Sequence, residues 1–107
     1  MDSTENVLNR LTAILEQRKA ADPASSYVAA LYRDGIDRIR KKIGEEATEV
    51  VIAVGNADRD AIVSEMADLW FHCLVALVHR GIDPDLVLAE LDRRFGRSGI
   101  EEKAARR

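Results

Sequence analysis

The stretch IDRIRKKIGEEATEVVIAV, residues 36–54, carries apolar side chains at every third or fourth position. An α-helix turns once in about 3.6 residues, so this spacing places those side chains on one face. That face comprises Ile36, Ile39, Ile43, Ala47, Val50, Val51 and Val54. The pattern predicts one long amphipathic helix that begins near Ile36 and stops at Gly55.

The segments that follow this helix also have helical spacing. The turn GNAD (residues 55–58) is short, so the next helix, residues 59–79, should run antiparallel to the first. It is the most apolar segment of the chain and is expected to be central. In residues 83–96, DPDLVLAELDRRFG, Asp83 is a candidate cap, Pro84 suits the first helical position and Gly96 should end the helix.

The segments that precede residue 36 complete the predicted fold. Residues 7–15 have a helical apolar face behind the possible caps Asp2, Ser3 and Thr4, and residues 27–34 form two further turns that end at Gly35. The sequence therefore predicts an all-α protein, a small antiparallel helix bundle of four main helices. We expect one domain, residues 1–107, with a polar C-terminal tail at residues 97–107.

Composition excludes several classes of protein. A net charge of −3 argues against sequence-independent nucleic-acid binding, which relies on an excess of lysine and arginine. No signal pattern opens the chain, and no uninterrupted apolar run reaches the ~18 residues that a membrane span needs. The single cysteine, Cys73, lies in an apolar segment and is typical of a reduced core thiol. We therefore expect a cytoplasmic protein without membrane or nucleic-acid partners.

Two pairs of acidic residues border the apolar faces of the two long helices. Glu46 and Glu49 flank the first face, and Glu65 and Asp68 flank the second, each pair three residues apart. If these edges meet, four carboxylates converge, and their repulsion and lost hydration destabilise the fold unless something compensates. A hard divalent cation such as Mg²⁺, which prefers oxygen ligands, would compensate well. The pattern therefore favours a Mg²⁺ site.

Other interpretations of the acids stay open. They could be solvated helix surface paired with nearby lysines and arginines, as in a helical interaction module that is not an enzyme. A carboxylate-bridged di-iron bundle is disfavoured, because it needs Glu-x-x-His motifs and neither His72 nor His79 follows a glutamate by three residues. His72 alone fits a packing role at the polar edge of its helix.

The pattern EEATE followed by EMAD resembles the E-E-x-x-E … E-x-x-D pattern of the MazG-like all-α nucleotide pyrophosphohydrolases. Within that superfamily, KIGEEATEVVIA (residues 42–53) and SGIEEKA (residues 98–104) resemble the phosphoribosyl-ATP pyrophosphohydrolase family of histidine biosynthesis. The resemblance covers residues 26–107, and its one noted departure is Ala105, where many relatives are expected to have serine.

This resemblance implies hydrolysis of phosphoribosyl-ATP to phosphoribosyl-AMP and pyrophosphate. By motif position it implies that Mg²⁺ is held by Glu46, Glu49, Glu65 and Asp68. It also implies catalytic parts for Glu49 and Glu45, of which Glu45 would bind a second ion or orient water. The alternative within the superfamily is a house-cleaning pyrophosphohydrolase of ordinary nucleoside triphosphates, including deoxynucleotides.

Two further expectations concern the substrate and a partner. A substrate that carries several phosphates needs cations, and Lys42, one turn before Glu46, is the first candidate, with Arg38 next. The helix at residues 59–79 has apolar residues over more than half of its circumference. That excess of apolar surface predicts a homodimer.

Overall fold

A computed structural model describes residues 7–96 of the chain and shows an all-α fold. Its helices are α1 (Val7–Gln17), α2 (Tyr27–Asp34), α3 (Ile36–Asn56), α4 (Arg59–His79) and α5 (Asp85–Phe95), with a single 3₁₀ turn at Arg18–Ala20. Residues 7–96 contain no strand, which confirms the predicted fold class. The predicted caps Asp2, Ser3 and Thr4 and the predicted tail, residues 97–107, lie outside the described residues.

The two long helices, α3 and α4, form an antiparallel hairpin with a very tight connection. The predicted stop at Gly55 was wrong, because α3 continues through Gly55 to Asn56. The helix ends at Ala57, which adopts the left-handed conformation (φ 58°) and donates its amide to the carbonyls of Ala53 and Val54. Asp58 then caps α4 by accepting from the amides of Asp60 (3.1 Å) and Ala61 (3.3 Å).

The core lies where α1, α2, α3 and α4 meet. Its most buried side chains come from all four helices: Leu15, Leu31, Ile39, Val75 and Val78. Ser26 begins α2 by accepting from the amide of Ala29 (3.1 Å), and Gly35, at φ 93°, joins α2 to α3 without an intervening loop. The short helix α2 is therefore a full member of the bundle.

The last helix, α5, contributes no buried side chain to this core. Asp83 accepts from the amide of Asp85 (2.9 Å) and so caps the helix as predicted, while Pro84 directly precedes the first helical residue. Its apolar residues are exposed: Leu86, Val87, Leu88, Leu91 and Phe95. The four helices that pack together within the described chain are therefore α1–α4, and α5 presents an apolar surface to the outside.

Helix α4 is long and apolar enough to cross a membrane by length and composition alone. This corrects the expectation that no segment passes that test, because a helix can reach the required average hydropathy while a few polar residues interrupt the apolar run. The same helix places Val75 and Val78 in the core and carries Glu65 and Asp68, and charged side chains are costly inside a bilayer.

Candidate active site

Three of the predicted carboxylates converge across the α3–α4 hairpin. Glu46 and Glu49 on α3 and Glu65 on α4 each offer a carboxylate oxygen, and these atoms all lie within 4.8 Å of one another. We call these three residues the carboxylate cluster. Glu46 is only 8% exposed, Glu65 is partly buried and Glu49 faces solvent. The antiparallel pairing of α3 with α4 thus joins acids that are 16 or more residues apart in the chain.

One oxygen of the carboxylate cluster is buried without a partner among the described residues. That oxygen is Oε2 of Glu65, which accepts no hydrogen bond from residues 7–96. The pKa of Glu65 is raised, first because a protonated carboxyl could share a hydrogen bond with Glu49, next through partial burial, and then through the charges of Glu49, Asp68 and Glu46. When both carboxylates are ionised, neither can donate to the other. A divalent cation with oxygen ligands fits an orphaned oxygen in an all-carboxylate set.

The fourth predicted ligand, Asp68, lies beside the carboxylate cluster rather than within it. Its side chain is exposed, yet its charge is close enough to contribute to the raised pKa of Glu65. Glu45 is also exposed, with Oε1 at 3.7 Å from Nζ of Lys42. Glu45 therefore lies beside Lys42 and one helical turn before Glu49.

Lys42 lies between two acids of α3, Glu45 and Glu46. Its Nζ lies 3.3 Å from Oε1 of Glu46, one turn later on the same helix. The pKa of Lys42 is raised, chiefly by its hydrogen bond to Glu46, against a lowering by desolvation and with further raising by Tyr27, Glu46 and Glu45. The ammonium group is therefore held in its charged form at the edge of the carboxylate cluster, where an anionic substrate would meet it.

Arg38, the second predicted cation, lies one turn before Lys42. Its guanidinium forms an ion pair with Asp34 and sits 5.9 Å from the centroid of the Tyr27 ring. Within α3 this places Arg38, Lys42 and Glu46 four residues apart along one side of the helix. The structure thus brings the predicted cations to the same edge as the predicted acids.

Tyr27 was not among the predicted site residues, and His72 was expected only to pack at the polar edge of its helix. The Tyr27 hydroxyl lies 2.8 Å from Nε2 of His72, and Nδ1 of His72 lies 2.7 Å from the backbone oxygen of Asp68. His72 is only 5% exposed. The Asp68–His72 spacing of four residues was visible in the sequence, but Tyr27 is 45 residues away from His72 and no local pattern joins them.

Comparison with known proteins identifies the family of this chain. A family model described as phosphoribosyl-ATP pyrophosphohydrolase matches residues 8–95. The chain belongs to the phosphoribosyl-ATP pyrophosphohydrolase family. Every predicted site residue falls within the matched range, from Arg38 to Asp68.

Curated relatives in the phosphoribosyl-ATP pyrophosphohydrolase family match over almost their whole length. A protein of Methylococcus capsulatus named phosphoribosyl-ATP pyrophosphatase is 61% identical over 102 residues, covering 95% of this chain and 97% of that protein. A protein of the same name from Verminephrobacter eiseniae is 58% identical over 111 residues, covering 97% and 83%. Another, from Methylibium petroleiphilum, is 55% identical over 105 residues, covering 98% and 88%.

Proposed function

We propose that this protein is an enzyme that hydrolyses phosphoribosyl-ATP to phosphoribosyl-AMP and pyrophosphate, a step of histidine biosynthesis. The observation that carries the proposal is the carboxylate cluster with its orphaned oxygen on Glu65, in a chain of the phosphoribosyl-ATP pyrophosphohydrolase family. Hydrolysis of a phosphoanhydride bond depends more on positioning the reactants and neutralising the phosphate charge than on a covalent nucleophile. The converging acids would hold a metal ion, and that ion together with the neighbouring cationic side chains would meet both requirements.

Mg²⁺ is the proposed cofactor, held by Glu46, Glu49 and Glu65, with Asp68 completing the set. An ion held there would supply neutralisation of phosphate charge and a water of lowered pKa. The proposed catalytic residues of the chain itself are Glu49, at the exposed side of the carboxylate cluster, and Glu45. For Glu45, which is exposed and lies 3.7 Å from the ammonium group of Lys42, we propose that it orients water or binds a second ion.

Lys42 and Arg38 are the proposed substrate-binding residues. Lys42 is held 3.3 Å from Glu46, so a phosphate that reaches the carboxylate cluster also comes within reach of an ammonium group. Arg38 lies one turn farther along α3 and can present a planar guanidinium to a second phosphate. The two cations would bind and orient the phosphate chain while the acids hold the ion.

The test of the proposed function is a pyrophosphate-release assay on purified protein with Mg²⁺. We expect phosphoribosyl-ATP to be cleaved and dUTP and dCTP to be poor substrates. Efficient cleavage of dUTP or dCTP with no cleavage of phosphoribosyl-ATP would instead favour the house-cleaning alternative. If no nucleotide is hydrolysed, the interaction-module interpretation would be favoured.

Added Mg²⁺ should raise the melting temperature of the wild-type protein in the absence of substrate. A ligand that binds only the folded state stabilises it by mass action, about 2.7 kcal/mol at a hundred times its dissociation constant. The ion would also relieve the repulsion among the acids of the carboxylate cluster. The measurement is a thermal melt over a Mg²⁺ titration, with Na⁺ at equal ionic strength as the control. Equal responses to the two salts would count against the metal site.

We also propose that the protein acts as a homodimer of single-domain chains, residues 1–107. Exposed apolar side chains extend over three helices, with Val51 on α3, Trp70 on α4 and Phe95 on α5 at 71%, 66% and 69% exposure. Surface of this kind on a small protein favours association. Light scattering at micromolar concentration should give about twice the chain mass of 11.9 kDa. A mass equal to one chain would reject the dimer.

The cytoplasm is the proposed location, and no membrane or nucleic acid is proposed as a partner. The net charge of −3 opposes general binding to nucleic acid. In α4, Glu65 and Asp68 would lie near the middle of any membrane span. A soluble dimer that buries the apolar side of α4 accounts for the composition of that helix without a bilayer.

A further inference from the structure

The pair formed by Tyr27 and His72 contacts the backbone of Asp68, next to the carboxylate cluster, but has no part in the proposed chemistry. Tyr27 is the first residue of α2 and is 46% exposed, while His72, on α4, is buried. The two rings meet edge to face with centroids 5.8 Å apart, and their polar atoms are 2.8 Å apart. The buried imidazole of His72 thus holds the partly exposed ring of Tyr27 by a hydrogen bond.

The neighbours of His72 decide which atom donates in this hydrogen bond. The backbone oxygen of Asp68 can only accept, so Nδ1 of His72, 2.7 Å away, carries the hydrogen. In a neutral imidazole the other nitrogen, Nε2, is then an acceptor. With His72 in this neutral form, the Tyr27 hydroxyl donates its single hydrogen to Nε2. On its partly exposed side, the Tyr27 oxygen can then accept a further hydrogen bond from a ligand but cannot donate one.

The surroundings of Tyr27 indicate which ligand could use that acceptor. The Arg38 guanidinium lies over the tyrosine ring, and Lys42, which contacts Glu46, is close enough to feel the charge of an ionised Tyr27. Phosphate oxygens of a nucleotide accept hydrogen bonds and cannot donate to Tyr27. The donors that a ribonucleotide carries nearest to its phosphate chain are the hydroxyls of the ribose attached to that chain.

We propose that Tyr27 is a specificity-determining residue that accepts a hydrogen bond from a hydroxyl of the triphosphate-bearing ribose, and that His72 is the positioning residue that fixes Tyr27. This inference rests on the proposed function, since it takes phosphoribosyl-ATP as the substrate. Tyr27 distinguishes a ribose from a deoxyribose, whereas the carboxylate cluster and the cations recognise only the ion and the phosphates.

The test is a thermodynamic cycle that combines the substitution Tyr27→Phe with removal of one ribose hydroxyl from the substrate. The steady-state kcat/KM is measured for wild type and Tyr27→Phe with phosphoribosyl-ATP and with its analogues that lack the 2′- or the 3′-hydroxyl of that ribose. Loss of one neutral hydrogen bond should lower kcat/KM of Tyr27→Phe on the full substrate by about two- to tenfold. On one of the two analogues the same substitution should have little effect, because the partner hydroxyl is already absent.

The second tyrosine of α2 supplies a matched control. Tyr32 donates its hydroxyl to the backbone oxygen of Leu15 (2.9 Å) and stacks on His79, so Tyr32→Phe removes a hydrogen bond of the same type away from the carboxylate cluster. It should alter stability without changing the preference for ribose. For the positioning role, His72→Gln keeps an amide oxygen that can accept from Tyr27 and should keep the preference, while His72→Leu should lose it.

The outcomes separate this inference from the proposed function. If Tyr27→Phe lowers kcat/KM equally on the full substrate and on both analogues, or does not lower it at all, the role of Tyr27 is overturned while the proposed function stands. If the wild type leaves phosphoribosyl-ATP intact, the proposed function fails, and this inference fails with it. Tyr27→Phe changes a partly exposed side chain by one atom, so its kinetics decide the matter even if a His72 variant folds poorly.

Discussion

Replacing Glu49 with Gln is expected to lower the rate of pyrophosphate release from phosphoribosyl-ATP by about a hundredfold or more. Glu49 is one of the three residues whose carboxylate oxygens converge, and Gln keeps its shape but removes its charge. A hundredfold loss corresponds to about 2.7 kcal/mol of transition-state stabilisation, within the several kcal/mol that a catalytic metal ion supplies. The measurement is the Mg²⁺-dependent initial rate at saturating and at limiting substrate.

The same Glu49→Gln variant should be as stable as the wild type without metal, or more stable. It removes a negative charge beside Glu65, and the Gln amide can donate a hydrogen bond to the orphaned oxygen of Glu65. Its melting temperature should respond less to Mg²⁺ than that of the wild type does. This combination, with function lost and stability kept, is expected where like charges are assembled for a ligand.

Glu16→Gln is the matched control, because Glu16 is an exposed acid on α1 that pairs with Lys19. It should leave the rate unchanged and alter the free energy of unfolding by no more than about 0.5 kcal/mol. Full activity in Glu49→Gln, with an unchanged response to Mg²⁺, would contradict the metal site. The acids of α3 would then be ordinary solvated surface.

Replacing Ile39 with Ala should lower the free energy of unfolding by about 2–5 kcal/mol. Ile39 is fully buried in the core where α1–α4 meet, so truncation both loses apolar contact and leaves a cavity. Such a loss is a large part of the ~5–15 kcal/mol by which a typical domain is stable. The measurement is urea unfolding at one fixed protein concentration, since a dimer would make stability depend on concentration.

Arg40→Ala is the control for Ile39→Ala on the next residue of the same helix. The Arg40 side chain is 74% exposed and its ion pair with Asp37 is open to solvent, so its loss should cost less than about 1 kcal/mol. Similar losses in the two variants would mean that the apolar face assigned to α3 does not face the core.

The course of the two long helices was predictable because helical periodicity is local. The apolar spacing correctly placed Ile39 in the core, but Val51 and Val54 of the same predicted face are 71% and 50% exposed. A short turn returned α4 antiparallel to α3. The end of α3 was less predictable. Glycine at position 55 permits a stop but does not require one, and the helix ends where Ala57 adopts the left-handed conformation before the Asp58 cap.

Whether α2 and α5 contribute side chains to the core depended on tertiary packing rather than on their sequence pattern. Both α2 and α5 are amphipathic, but only α2 buries side chains in the described chain, because Gly35 turns it directly onto α3. The sequence of α5 also has a distinct apolar face. Amphipathicity indicates that the apolar face of a helix tends to be buried against another surface, but it does not show whether that surface belongs to the same chain.

For the candidate site, the sequence by itself determined the two long helices and singled out four acids and the cations Lys42 and Arg38 as candidates, because each of these patterns lies within a few turns of one helix. Only the tertiary structure decided that Glu65 joins Glu46 and Glu49 while Asp68 lies beside them, and that Tyr27 meets His72. Contacts between distant residues depend on how neighbouring helices are rotated and shifted against each other. That arrangement is set by the packing of the whole core, which no local pattern encodes.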